Sequence, residues 1–294
     1  MKKKVMALVL LALMVTGLVG CGSDNNASKS EEGKLKVGMV TDTGTIDDKS
    51  FNQGTWEGIK EAEKSFGLET TFMQPNGESE SSYLTEIQNL YDSGYKFIVT
   101  PGYKFETAIY KAQSQYEDTK FVLIDGEPND GNDNYLVADN TVAVYFAEEQ
   151  SGFIAGVASA VQLQDGDFGF IGGMEIPSVK KFNYGFQQGV AYANEHYGTN
   201  VSLKAENIVY SGSFSDTALG QQLSAQMYDN GVKAIFTAAA GVNIGVITEA
   251  KTRVANGQEA WVIGVDSDQY DDGIYEADAT GADKVTFLFS ANKN

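Results

Sequence analysis

The sequence predicts an α/β protein of two lobes, each a parallel sheet flanked by helices. Three observations lead there. Short, solid apolar runs rich in β-branched residues alternate along the chain with amphipathic stretches of helical period. The runs are apolar throughout instead of alternating apolar with polar, as expected for parallel strands covered on both faces. Roughly nine or ten such strands are more than one compact sheet of this kind usually holds, so they divide between two.

The elements follow in order. Leu35–Val40 (LKVGMV) is the first strand and runs into a polar loop. Trp56, Ile59, Ala62, Glu63 and Phe66 then trace an amphipathic helix that Gly67 stops. TTFMQ is a strand, Tyr83, Ile87 and Leu90 mark a helix ended by Gly94, and KFIVT is the next strand. A helix through Ala108 and Ala112 leads to the strand FVLID, which closes on Asp125. After YLVADN a long helix is expected over Tyr145–Val161, where Gly152, Ala155, Gly156 and Ala158 permit close packing. FGFIGG is a strand, Val179–Tyr197 a helix and AENIVYS a strand. A helix from Asp216 leads to AIFTAAA, a helix from Ile244 leads to WVIGVD, and VTFLFS is the last strand. The lobes are expected to divide at 34–140 and 141–284, with about 285–294 returning to the first.

The start of the chain reads as an export signal. Lys2, Lys3 and Lys4 precede an uncharged stretch, Val5–Gly20, that is short for a membrane-spanning helix, and the only cysteine follows at Cys21. Residues 1–20 are therefore expected to be a signal peptide. Leu18-Val-Gly-Cys21 resembles a bacterial lipobox, which implies lipidation of Cys21, palmitate included, and tethering at the extracytoplasmic face of the cell membrane. Residues 21–33, polar and without large apolar side chains, are expected to be a disordered tether.

Charge narrows the function classes. The whole chain carries a formal −19, and removal of the three leading lysines takes it to −22. So acidic a protein is a poor nucleic-acid binder, because phosphate neutralisation needs clustered lysine and arginine. One cysteine and one histidine, His196, leave no zinc cluster, no metal site is expected, and no nucleophile–base pair stands out for catalysis. His196 reads as a surface residue favoured by a helix C-terminus. The acidic run Asp266–Gly273 has the wrong glycine spacing for an EF-hand, and Gly169-x-x-Gly172-Gly173 is a turn instead of a dinucleotide fingerprint.

In sheets of this kind ligands bind beyond the carboxyl ends of the strands. The informative residues are therefore Asp42, the Pro101-Gly102-Tyr103 turn, Asp125, Gly172-Gly173, Ser211–Phe214, Gly241 and Asp266. From the residues alone, each aspartate serves equally as a helix cap or turn former. Phe51 reads equally as a packing residue in the first helical turn, since most of the 16 phenylalanines must be core. Asp47 and Asp48 read as first-turn acids complementing a helix dipole.

Several motifs share one resemblance. DTGTIDDKSFN (Asp42–Asn52), GYKF (Gly102–Phe105), FVLID, EEQSGFIAG (Glu148–Gly156), GFIGG with Pro177, Phe182 and GFQQG, and VIGVDSDQ occur in that order. Together they resemble the basic membrane protein family, lipoproteins that serve as substrate-binding components of ABC transporters and include purine nucleoside receptors. The resemblance implies a two-lobed periplasmic-binding-protein fold of type I. It implies a non-enzymatic monomer, without cofactor, that captures a purine nucleoside by hinge closure and hands it to a membrane permease.

It also implies ligand contacts at Asp42, Ser50, Phe51, Asn52, Asp125, Phe214, Gly241, Asp266 and Lys293. Phe51 and Phe214 would stack on the base, and Asp266 would hold the ribose hydroxyls. The sequence departs from the family at AAAGVNIG, where Asn243 replaces a small residue. The family also continues past its crossover lysine with a further helix and a final crossover, so the C-terminal part of the family fold is expected to be missing here. The residues alone also suit a receptor for a sugar or another small polar ligand, a surface nucleoside-processing enzyme, or a surface lipoprotein without a transport role.

Overall fold

The computed structural model describes residues 34–42, 44–48, 51–132, 134–277, 284–286 and 288–292. The signal peptide, the tether, Cys21, Ser50 and Lys293 lie outside these residues.

The first sheet holds β1 (Lys36–Val40), β2 (Glu69–Met73), β3 (Phe97–Pro101), β4 (Lys120–Ile124) and β5 (Thr141–Val144), in spatial order β2-β1-β3-β4-β5. Every pairing is parallel. Helix α1 (Phe51–Phe66) covers one face, with Ile59 and Trp56 packed on Val37, Met39 and Val99. Helices α2 (Glu80–Asp92) and α3 (Glu106–Gln115) cover the other, where Tyr83, Ile87, Leu90, Ala108 and Ile109 bury Val40, Ile98, Phe121 and Leu123. The strands are solid apolar runs because both faces are covered.

The second sheet is built from β6 (Asp165–Gly172), β7 (Asn200–Tyr210), β8 (Val232–Ala238), β9 (Trp261–Asp266) and β12 (Leu288–Asn292), in order β12-β9-β8-β6-β7. Counted by its own strands, this order is 2-1-3-4-5, the same as in the first lobe. Between β9 and β12 a small antiparallel hairpin, β10 (Ile274–Ala277) with β11 (Lys284–Thr286), stands apart from both sheets. Helices α4 (Glu148–Leu163) and α5 (Pro177–Tyr197) pack on one face over Phe168, Phe170 and Phe236. Helices α6 (Thr217–Asp229) and α7 (Ala240–Ala255) pack on the other over Ile171, Ile235 and Val262.

The small residues expected to allow close packing in α4 do so. A Cβ on Gly152 would overlap the Phe182 carbonyl of α5, and one on Gly185 would overlap the Glu149 carbonyl of α4. The two helices therefore cross backbone against backbone.

Four expectations are corrected. Residues 141–144, assigned from sequence to the second lobe, form the edge strand of the first sheet, with Thr141 paired to Phe121 and Val144 to Ile124. The helix expected from Tyr145 accordingly begins at Glu148, where Glu148 and Glu149 place two acids against the positive end of its dipole. The closing segment does not return to the first lobe: Leu288–Asn292 pairs with Val262–Asp266, and Phe289 stacks on Trp261 at 5.5 Å. An apolar strand gains more by extending a sheet edge already lined with apolar side chains than by crossing away from it. Finally, α7 starts at Ala240, four residues before Ile244, so Gly241 and Asn243 belong to its first turn.

Candidate functional site

The carboxyl ends of β1, β3 and β4 in one lobe and of β6, β8 and β9 in the other converge on one cavity of about 360 Å³. Its size falls within the range of about 300–1,000 Å³ typical of small-molecule sites. From the first lobe come Asp42 after β1, Gly102 and Tyr103 after β3, Asp125 after β4, and the N-terminal turn of α1 with Asp48, Phe51 and Asn52. From the second come Ile176, Ser178 and Phe182 at the start of α5, Phe214 and Thr217 before and within α6, Gly241 in α7, and Asp266 at the end of β9.

Seven sequence-predicted residues therefore line one space: Asp42, Phe51, Asn52, Asp125, Phe214, Gly241 and Asp266. Two further hollows differ in kind. One of about 560 Å³ lies along α7 against the turn before β10. The other, about 730 Å³, is an apolar trough between α1 and the first sheet that reaches Phe51 and Asp266 from behind.

The wall from the first lobe is tightly built. Gly102, at φ +110°, follows β3 with its backbone close to Asp42 and Phe51: a Cβ there would stand 3.8 Å from Asp42 Oδ2 and 4.0 Å from the Phe51 ring. Burial pushes the Tyr103 phenol up, so near neutral pH it is an uncharged hydroxyl that both donates and accepts. Asn52 is 2% exposed, and its carboxamide bonds back to Asp42 and Asp48.

In the second lobe Phe214 packs on the edge of the core while lining the cavity. Its ring occupies the space over Gly173, where any Cβ would overlap it. Gly241 donates its N–H to the Phe214 carbonyl at 2.8 Å and so ties α7 to that loop. Asn243, the departure from the family pattern, is fully buried away from the cavity lining, where its Nδ2 donates to Gln269 Oε1 at 2.9 Å. Gln269 Oε1 also accepts the Val265 N–H at 3.2 Å, so this pair braces the end of β9 beside Asp266.

Two aspartates carry backbone strain. Asp125 has φ +58° and Asp266 φ +68°, both in the left-handed region. Aspartate enters it more readily than most residues, at a cost of about 1 kcal/mol or more that persists where the surroundings demand it. Each ends the fourth strand of its lobe.

Among the described residues the charged lining of the cavity is acidic. Asp42, Asp48, Asp125 and Asp266 line it, and among the described lining residues there is no lysine, arginine or histidine. Those acids favour ligands rich in N–H and O–H donors, cationic ones included, and disfavour phosphates and carboxylates. Sequence reasoning reached Tyr103 through the strand-end turn that holds it but missed Ser178 and Thr217, which sit just inside helices and carry no local signal.

Solved structures of similar architecture include solute-binding proteins of ABC transporters. An ABC transporter solute-binding protein from Aeropyrum pernix K1 aligns at TM-score 0.69 and 24% identity, covering 88% of this chain and 74% of that one. The arabinose-binding protein AraP of Geobacillus stearothermophilus aligns at TM-score 0.58 and 16% identity, over 80% of this chain and 75% of its own. Likeness at that level of identity concerns the fold: two parallel sheets flanked by helices, of the periplasmic-binding-protein type.

Sequence comparison is more specific. Residues 35–280 match the Bmp family, described as ABC transporter substrate-binding protein PnrA-like. The ABC transporter nucleoside-binding protein BmpA of Lactococcus lactis is 34% identical over 306 residues, covering 100% of this chain and 82% of that protein. Basic membrane protein B of Borreliella burgdorferi is 35% identical, covering 86% of this chain and 70% of its own. The chain belongs to the Bmp family of ABC transporter substrate-binding proteins, as the motifs from Asp42 to Gln269 suggested.

Proposed function

We propose that this protein is the extracytoplasmic receptor of an ABC importer, held to the membrane through lipid on Cys21, and that it captures a purine nucleoside between its lobes. One observation carries the reading. The cavity combines a phenylalanine from each lobe, Phe51 and Phe214, with three strand-end carboxylates and no described basic side chain. A purine has two π-faces for the rings, and its ribose has two hydroxyl donors for a carboxylate such as Asp266. Asp42, Asp125 and Tyr103 would then be available to the nitrogen edges of the base. The acids would repel a nucleotide's phosphate, which separates the nucleoside from its phosphorylated forms. The nucleoside-binding relative in Lactococcus lactis supports the same ligand class.

Capture proceeds by closure of one lobe on the other, driven by contacts that exist only when both walls touch the ligand. A permease would then take the nucleoside from the opened cleft, and no covalent step is involved.

Isothermal titration with guanosine, inosine and adenosine, and with guanosine monophosphate as the anionic control, tests the proposal. At least one nucleoside is expected to bind, with the monophosphate weaker by about 10-fold or more. Phe51→Ala and Phe214→Ala should each weaken binding about 5- to 150-fold, the equivalent of a stacking loss of about 1–3 kcal/mol. Silence for all three nucleosides, or binding of free ribose or arabinose alone, overturns the proposal. Release of free base during incubation would move the protein into the enzyme class.

A further inference from the structure

We propose that Asn52 is a positioning residue: its side chain fixes the carboxylate of Asp42 and has no N–H left to donate to the ligand. A carboxamide has two N–H donors, and both are spent inside the protein. Asn52 Nδ2 donates to Asp42 Oδ1 at 2.7 Å and to Asp48 Oδ2 at 2.9 Å. Asn52 Oδ1 accepts the backbone N–H of Asp42 at 3.2 Å. Turning the amide over would set its oxygen against two carboxylates and its NH₂ against an N–H, so only one orientation satisfies the group.

The far side of the bracket is anchored as well. Asp48 Oδ2 accepts the Asn52 N–H and Asp48 Oδ1 the Gln53 N–H, both at 3.1 Å, so Asp48 caps α1 while it holds the amide. Asp42 Oδ1 also accepts the Gly44 N–H at 2.8 Å. Gly44 has to be glycine for the bracket to close: a Cβ there would stand 2.5 Å from Asn52 Nδ2 and 2.9 Å from Asp48 Oδ2. With Oδ1 saturated, Asp42 keeps one acceptor, Oδ2, which takes no hydrogen bond among the described residues. It lies on the cavity wall beside Gly102. The bracket thus turns a rotatable carboxylate into a single fixed acceptor, and the ligand must bring one donor to it.

This inference rests on the cavity being the nucleoside site, and a double-mutant cycle separates the two claims. Guanosine affinity is measured for the parent protein, Asn52→Ala, Asp42→Ala and the double variant, with Asn52→Ser as a milder second form of the first change. Asn52→Ala should weaken binding on the order of 10-fold in the parent, yet by less than about 2-fold once Asp42 is gone. Losses that multiply independently, or an unchanged affinity for Asn52→Ala, overturn the inference. The same four proteins without ligand form a second cycle read by melting temperature. The two single losses should sum to clearly more than the double loss, because the hydrogen bonds exist without ligand. If no nucleoside binds the parent, the functional proposal falls and the ligand-free cycle still decides the bracket: additive melting shifts reject it.

Discussion

Asp266 offers a test that separates stability from binding. Its φ of +68° is one that a residue with a Cβ adopts at a cost of about 1–2 kcal/mol, eased for aspartate by its short polar side chain. Asp266→Ala keeps the Cβ and loses that easing. Asp266→Gly removes the strain and returns about 0.4–1 kcal/mol to the unfolded chain as entropy. The balance favours Gly over Ala by about 1 kcal/mol, the reverse of the order in an ordinary helix or strand position. For a chain of this size that is about 2–4 °C in melting temperature. Both variants lose the carboxylate, and with it charge-assisted hydrogen bonds worth about 1.5–3 kcal/mol, which is about 10- to 150-fold in nucleoside affinity.

The assay pairs thermal unfolding without ligand with calorimetric titration of guanosine. The expected outcome is a glycine variant that melts above the alanine variant while both bind poorly. An alanine variant as stable as the glycine one would refute the strain argument. A glycine variant that binds like the parent would remove Asp266 from the site.

Two further changes probe the walls and the pH response. Gly173→Ala places a methyl where the Phe214 ring lies, so the ring must leave the wall; nucleoside affinity should fall about as far as for Phe214→Ala, and an unchanged titration refutes the placement. Glu106, in the first turn of α3, accepts hydrogen bonds from the Glu127 N–H at 3.2 Å and Asn129 Nδ2 at 2.7 Å, yet burial outweighs them and pushes its carboxyl above the ordinary 4.5. The native state therefore holds this proton more tightly than the unfolded chain. Its contribution to stability is full below about pH 4.5 and fades as pH rises through the higher native value. Compared by urea midpoints from pH 4 to pH 7, the parent should lose ground to Glu106→Gln as pH rises; a gain refutes the assignment.

Much of this was legible because its causes are local. Helix α1 ends at Phe66 because Gly67, at φ +68°, stops it, and α6 begins at Thr217 because the Asp216 side chain accepts the Leu219 N–H at 2.9 Å. The strand-end rule gathered Asp42, Tyr103, Asp125, Phe214, Gly241 and Asp266 because a parallel sheet fixes where its loops emerge, whereas Phe51 and Asn52 came from the family resemblance. What escaped the sequence depends on pairing between distant segments. Thr141–Val144 is a short edge strand whose partner lies some twenty residues upstream, and nothing within it says which lobe it joins. The sign of φ at Asp125 and Asp266 was hidden because an aspartate before a helix reads as a cap. The role of Asn52 was hidden because it depends on a loop folding back to bring together residues ten apart.

The shared strand order of the lobes explains why the site is lopsided. Each lobe runs 2-1-3-4-5, so Asp125 and Asp266 are equivalent, each closing a fourth strand in left-handed conformation. After the first strand the equivalence breaks. The first lobe has Asp42, bracketed by Asn52; the second has Gly172-Gly173, and the space left by the missing side chain is filled by the Phe214 ring. One lobe therefore spends its first strand end on a fixed acceptor and the other on a stacking surface. A ligand satisfying both must be flat on one side, bear a donor at its edge, and carry a second donor group that reaches Asp266. A free sugar lacks the flat face and a free base lacks the second group, so affinity should require both halves joined. Guanine and ribose added together should reproduce little of the heat released by guanosine, and equal binding by either fragment alone would break this account of the cleft.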